Sequence, residues 1–357
     1  MTADAIMEMT DLEAAFAWQA DHAEKNGAPS TARVVRALAK IAGGGTQTGQ
    51  RIAAWEGLTL KDALPLRLAG GMHHLVLSGA DNRLADVYSG AVTDQHAIDA
   101  LVAELAEIYD VALLPWLDGP PQTNEAGRSA SIMAGLLWLS GRLGAKFDMF
   151  ELGASAGVNT MMERYHYTLS ETTAGPADSP MHIRPEWRGA SPPQNPVEIT
   201  GICGCDQQII DLSDAAAALK LKSYVWPDAT ERMGRIDAAI ALAGQSAPNL
   251  AQMDAAVFAE QQLAKPQKAG ETRTMFHSIM WQYMPAATQD RITAAMEKAG
   301  AKATSERPLA WIALETDPAT FRHELKVRYW YGSANDGETH LLAFAHAHGS
   351  WVEWIGN

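Results

Sequence analysis

Asp148-Met149-Phe150-Glu151-Leu152-Gly153-Ala154-Ser155-Ala156-Gly157 is the segment on which the reading of this chain turns. An apolar strand, with Met149, Phe150 and Leu152, runs into a series of small residues, and 156–164 then reads as a helix. Small residues let the backbone approach a ligand closely, and a helix that starts there offers unpaired N–H groups. A strand, a glycine-bearing loop and a helix in that order predict a nucleotide-binding turn at 151–157. The plainer alternative is a tight strand-to-helix turn with no ligand.

Toward the C-terminus, short apolar strands alternate with helices. Candidate strands are 148–152, 198–205, 249–253, 273–278, 309–315, 324–330 and 340–347, and helical segments at 156–164, 228–243, 256–263 and 288–298 separate the first five. That alternation implies a parallel sheet covered on both faces. Between the last two strands lies only 331–339, with Gly332 and Gly337, which signals an antiparallel hairpin. The fold class is therefore α/β: a Rossmann-like, seven-stranded, mostly parallel sheet with a terminal antiparallel hairpin. Residues 170–196 interrupt the rhythm with six prolines. Loops of this length in compact domains are usually functional or disordered, so the segment reads as a flap near the ligand.

Toward the N-terminus the texture is helical. Ile98, Leu101, Val102, Leu105, Ile108, Ala112 and Leu113 share one face of a helix over 94–114, with Thr93 as its cap and Pro115 near its end. Val34, Val35, Leu38 and Ile41 mark a second helix and 62–77 a third. The expected division is a helical N-terminal domain over 1–120 and an α/β domain over 121–357.

Composition narrows the function classes. The 357 residues are 47% hydrophobic and carry a formal charge of −14. Nucleic-acid binding needs cationic side chains that displace counterions from phosphates, and no Lys/Arg block is present. DNA and RNA are thus disfavoured, and small molecules or a protein partner remain. No run of apolar residues is long enough to span a membrane, and residues 1–4 carry acid where a secretory signal carries base. The two cysteines, Cys203 and Cys205, are too close for an ordinary disulfide and suit a reducing compartment. A cytoplasmic location is the expectation.

Two acids follow the next two strands: Asp206 after 198–205 and Asp254 after 249–253. An acid at the second tip can accept from ribose hydroxyls, and ligands bind at the carboxyl ends of such strands. The plainer role of each is a helix cap. The loop at 151–157, Gly204-Cys205-Asp206, Asp254-Ala255 and the closing hairpin resemble class I S-adenosylmethionine-dependent methyltransferases. More narrowly, five strings resemble an uncharacterised bacterial domain-of-unknown-function family with such a core. They are Thr123-Asn124-Glu125-Ala126-Gly127-Arg128, the loop running on to Arg164-Tyr165, Tyr224-Val225-Trp226-Pro227-Asp228, His277-Ser278 with Trp281-Gln282-Tyr283, and His346-Ala347-His348-Gly349.

The resemblance implies that Glu151 and the backbone of Gly153, Ser155 and Gly157 surround the methionine and ribose part of S-adenosylmethionine. It implies that Asp206 takes the ribose hydroxyls and Asp254 the adenine amine. Two departures stand out: Ser155 replaces the usual central glycine, and His277-Ser278 stands where Asp/Asn-Pro-Pro-Tyr is familiar. His277 is the candidate general base, because imidazole takes a proton near neutral pH. Asn124 and Arg128 open the helix before the first strand. Either they cap and solvate it, or they close over the cofactor, with Arg128 gripping a carboxylate. Trp281 and Tyr283 could wall a substrate pocket.

Three rival readings remain. Gly153-Ala154-Ser155-Ala156-Gly157 is also G-x-S-x-G, the nucleophile elbow of α/β-hydrolases, with His346 or His348 and Asp317 in triad order. That fold needs sheet strands before the elbow, and 1–145 supplies helices. His73, His74, His277, His346 and His348 could gather at a metal, but no acidic or cysteine partner has diagnostic spacing. Finally, the chain could bind the cofactor or another nucleotide without chemistry.

Overall fold

A computed structural model describes residues 11–59, 62–122 and 124–356. Residues 1–4 and Thr123, both used above, lie outside them. The chain divides into two compact units, 1–123 with 214–237, and 124–213 with 238–357. The first unit therefore takes in a segment that the sequence places in the α/β domain.

The described elements of the first unit are helical. Asp94, not Thr93, caps the helix Gln95–Ile108 through a 2.8 Å bond from the Ala97 N–H to its Oδ1. Ile98, Val102 and Leu105 turn inward on that helix and pack with Val34, Val35 and Leu38 of the helix Pro29–Leu38. Asp228, from the late segment, anchors the start of Pro29–Leu38 by accepting from the backbone of Ser30 (3.0 Å) and Thr31 (2.9 Å). That anchoring explains why a segment distant in sequence joins this unit. The helix Leu64–Leu77 holds His73, whose Nδ1 meets the Ser223 carbonyl at 3.1 Å. Burial lowers the His73 imidazole to about 4, so it is neutral at physiological pH. Among the described residues no helix is long and apolar enough to cross a membrane.

The second unit is α/β. Its strands in chain order are β1 (Lys146–Leu152), β2 (His166–Leu169), β3 (Thr172–Ala174), β4 (His182–Ile183), β5 (Glu186–Gly189), β6 (Glu198–Asp206), β7 (Leu250–Gln252), β8 (Thr272–Ser278), β9 (Leu309–Thr316), β10 (His323–Trp330), β11 (His340–Ala345) and β12 (Trp351–Trp354). The main sheet has nine strands in the order β5-β12-β11-β10-β9-β8-β1-β6-β7. From β7 to β9 all neighbours are parallel; β9 to β12 form an antiparallel meander, and β5 runs parallel to β12. Nine strands replace the expected seven. β5 and β12 have four residues each and pair across more than 160 positions of sequence, so no local periodicity announces them.

The 170–196 segment is not a single flap. β3 and β4 flank β2 in a small second sheet, and β5 joins the main sheet at its edge. β5 lies six strand positions from β1, roughly 29 Å at 4.8 Å per strand, which takes that part of the segment away from the 151–157 loop.

The helix Ser129–Leu143 is buried continuously from Ser129 to Ser140, as an apolar helix inside a layered domain must be. Gly135 lets it approach Ile312 of β9 and Val327 of β10. On the opposite face Phe150, Met275 and Trp311 pack with Phe258 of the helix Ala255–Ala264 and with Ile292 and Met296 of the helix Ala286–Gly300. Thus the residues of β9 alternate between two cores, the pattern of a doubly covered sheet.

Candidate functional site

The strand order reverses at β1: the chain proceeds to β6 and β7 on one side and to β8 and β9 on the other. Crevices in open α/β sheets form at such switch points, outside the carboxyl ends of the strands. Beyond β1 the backbone takes positive φ at Gly153 (69°), Ser155 (54°) and Gly157 (72°). Across the switch point Ile279, just past β8, has φ 51°. A β-branched residue there is strained by roughly 1–3 kcal/mol, and such strain collects at functional sites.

The loop is tied tightly to its neighbours. Ala154 N–H donates to the Cys205 carbonyl (2.9 Å), Ser155 N–H to Asp206 Oδ2 (2.9 Å), Gly157 N–H to the Ala154 carbonyl (2.7 Å) and Val158 N–H to Asn124 Oδ1 (2.8 Å). After it comes a 3-10 helix, Asn159–Arg164, and not the α-helix expected over 156–164. The Tyr165 hydroxyl donates to the Val158 carbonyl, the acceptor that an α-helix would give to the Met162 N–H. The N–H groups of Ala154, Ser155, Gly157 and Val158 are therefore committed to protein acceptors.

The predicted acids meet this loop. Asp206 closes β6, holding Ser155 with Oδ2 and the Gln208 N–H (2.9 Å) with Oδ1, and its own carbonyl accepts from Met253 N–H (3.0 Å) beyond β7. The tips of β1, β6 and β7 thus form one hydrogen-bonded rim. Asp254 sits on that rim as the N-cap of Ala255–Ala264, its Oδ1 taking the N–H groups of Ala256 (3.0 Å) and Val257 (3.1 Å). Its helix-cap role is real, and Oδ2 has no hydrogen bond among the described residues.

Glu151 lies beneath the loop, fully buried. Thr160 Oγ1 donates to its Oε2 at 2.6 Å. Burial raises this carboxyl to about 7, against the opposing pull of Thr160 and of the Arg128 charge. Asn159 beside it is 1% exposed, and neither its amide oxygen nor its amide nitrogen finds a partner of good hydrogen-bond geometry. A buried amide left this way marks a place where a polar atom is wanted.

Asn124, Glu125 and Arg128 lie over the same edge. Asn124 bonds Val158 across the loop instead of capping its own helix, and Glu125 Oε1 accepts from Gly127 N–H (3.0 Å). Arg128 is buried and donates through Nε to the Ala347 carbonyl (2.8 Å) and through Nη1 to the Ser278 carbonyl (3.3 Å). It therefore clamps the β8 tip to the turn between β11 and β12. In that turn Gly349 touches Gly127 backbone to backbone, and His346 Nδ1 accepts from His348 N–H (3.1 Å).

His277 is 1% exposed and both ring nitrogens are engaged: Nδ1 meets Glu315 Oε1 at 2.7 Å, and Nε2 accepts from Trp311 Nε1–H at 2.9 Å. Trp281 stacks on the ring at 4.9 Å. The general-base role expected for His277 finds no open lone pair in this arrangement; the ring holds Glu315 and Trp281 in place. Glu315 also accepts from Met280 N–H (3.1 Å), and its other carboxylate oxygen is buried without a partner. Sequence reading missed Glu315, although an acid closing the strand beside His277 was a usable signal. It missed Met280 as well. That side chain covers Gly153, so that a Cβ added there would come within 2.8 Å of Met280 Cε. Tyr283 is 67% exposed, whereas Trp330 and Trp354 are buried on the meander.

The rival constellations are not assembled as the sequence suggested. Asp317 is committed to its own turn, Oδ1 accepting from Ala319 N–H (3.0 Å) and Thr320 N–H (2.9 Å), and β1 is the first strand of the sheet among the described residues. Among those residues, too, no group of three or more His, Cys, Asp or Glu side chains is placed to hold a metal ion. Burial pushes the Cys205 thiol up to about 12, leaving it an inert small hydrophobe.

The model of a family described as "Uncharacterized protein conserved in bacteria (DUF2332)" matches residues 13–354. The chain belongs to DUF2332. The DUF2332 match takes in the five strings quoted from the sequence and every strand of the nine-stranded sheet. Neither the curated proteins nor the solved structures give a match to the chain.

Proposed function

We propose that the α/β unit binds S-adenosylmethionine at the carboxyl edge of β1, β6 and β7 and acts as a methyltransferase on a small-molecule or protein acceptor. The observation that carries this reading is the shared rim: Ser155, Asp206 and Met253 are linked by hydrogen bonds, with Glu151 below and Asp254 alongside. Asp206 and Asp254 flank a loop four of whose N–H groups are already bonded, and the buried Glu151 carboxyl lies beneath it. Such a rim disfavours phosphate and suits a cationic sulfonium carrying ribose hydroxyls and an adenine amine.

In this reading Asp206 accepts from the ribose hydroxyls with the lone pairs left by Ser155 and Gln208, and Asp254 Oδ2 accepts from the adenine amine. Gly153, Ser155 and Gly157 let the cofactor approach, and Met280, an unbranched and adaptable side chain, shifts from Gly153. Asn124 and Arg128 hold the loop and the β8 tip in register. When bound, the cofactor supplies an electrophilic methyl group. The chain's part is then to align an acceptor and exclude water.

Binding without transfer is the second reading, favoured by the closed His277 ring. Calorimetry with S-adenosylmethionine and S-adenosylhomocysteine tests the common core of both. Saturable heat is expected for each, weakened at least tenfold in Asp206→Ala. Absence of heat for either compound with the unaltered protein contradicts the assignment. Methylation assays on cell extract then separate transfer from binding alone.

A further inference from the structure

We propose that a cleft at the opposite end of the strands binds a small phosphorylated amphiphile, an alkyl or similarly apolar body with a phosphate terminus. The cleft has a volume of about 660 Å³ and lies between the helices Ala255–Ala264 and Ala286–Gly300, beside Arg273 near the start of β8 and Leu309 at the start of β9. β8 is seven residues long, so this site is roughly 20 Å from the Ser278 tip and stands apart from the proposed cofactor rim.

The charge of the cleft runs against that of the chain. The whole sequence has 28 Lys and Arg against 42 Asp and Glu. The cleft inverts that ratio: Lys265, Arg273, Arg291, Lys298, Lys302 and Arg307 line it, and Glu260 is the acid among its lining residues. Glu260 neutralises Arg291 through a two-pronged bond of 2.9 and 3.0 Å. Lys265 Nζ donates instead to a neutral partner, Gln262 Oε1 (2.7 Å), and Arg307 Nε to the Gln267 carbonyl (3.1 Å). Buried Arg273 donates to the carbonyls of Lys265 and Pro266 (both 2.9 Å), with Asp148 the acid near enough to act on its charge. Lys298 and Lys302 have no ion pair among the described residues. Lys298 also suits the negative end of its helix, but a helix end explains one or two cations and not six around one opening.

The floor is apolar. Leu263, Ala299, Ala303 and Leu309 form it, and the volume above them falls in the range of small-molecule sites. A simple anion would leave that surface wet. A multiply charged head satisfies guanidinium and ammonium donors together while an apolar body covers the floor.

Titration calorimetry of the full chain with hexyl phosphate, inorganic phosphate and hexanol tests the proposal. Hexyl phosphate is expected to bind saturably, at least tenfold more tightly than either fragment. The exposed double variant Lys298→Gln/Lys302→Gln should weaken it at least tenfold, and Ala299→Phe, which fills the floor, should abolish it. Neither set should alter the response to S-adenosylhomocysteine, so failure here is distinguishable from failure at the cofactor rim. Equal binding of inorganic phosphate, equal binding by the variants, or no saturable heat with hexyl phosphate would each overturn it.

Discussion

Glu151→Gln is expected to stabilise the protein by on the order of 3 kcal/mol at pH 8 and by much less at pH 5. The reason is the raised carboxyl. Glu151 is fully buried, and its pKa rises from the ordinary 4.5 to about 7 in the folded chain. Below 4.5 both states are protonated and the group is neutral toward folding. Between 4.5 and 7 the folded state keeps a proton that the unfolded state has released, so stability declines as pH rises. Above 7 the full penalty persists. Each pH unit separating the two values is worth about 1.4 kcal/mol, which sets the size of the effect. Glutamine keeps an acceptor for Thr160 Oγ1 and removes the ionisation. Denaturation midpoints at pH 5 and pH 8 for both proteins check this. A gain from glutamine no larger at pH 8 than at pH 5, or a glutamine variant less stable at pH 8, would show that Glu151 is ionised and well paired. A carboxyl kept at this cost under the 151–157 loop is what a stability-for-function trade produces.

The second large effect is at Gly349. Alanine there is expected to cost about 4 kcal/mol or more. Its φ is 70°, a region that charges an L-residue roughly 1–2 kcal/mol. The added Cβ would also stand 2.2 Å from the carbonyl carbon and oxygen of Gly127, which only backbone movement can relieve. Gly270→Ala is the matched control, with φ 77° and open space around its Cβ, and should cost about 1 kcal/mol. Displacement of Gly127 drags Arg128 and Asn124 from the β8 tip and the loop, so cofactor affinity should fall in Gly349→Ala and hold in Gly270→Ala. Equal thermal stability of the two variants would mean that the turn after β11 does not rest on residues 124–128.

Much of this edge was legible in the sequence. The strand and loop at 148–157, the five alternating strands that became β1 and β6 to β9, and the acids Asp206 and Asp254 depend on local pattern, because Asp206 ends β6 and Asp254 comes two residues after β7. What escaped depends on pairing between distant positions. β5 and β12 are too short to show alternation, and Asp228 joins the helical unit through bonds to Ser30 and Thr31. Asn124, 34 positions earlier, takes the Val158 N–H across the loop, a bond that no local pattern announces. His277 looked like a base because an isolated imidazole has an open nitrogen. Only the registers of β8 and β9 reveal that Trp311 and Glu315 close both.

The cofactor proposal stands or falls on whether the β1, β6 and β7 tips surround one adenosine. A crystal structure of the protein grown with S-adenosylhomocysteine decides this. The ribose hydroxyls are expected within hydrogen-bond reach of Asp206, the adenine amine at Asp254, and Met280 moved off Gly153. An adenosine bound elsewhere, or a Met280 still covering Gly153 while the ligand saturates the protein in solution, would contradict it.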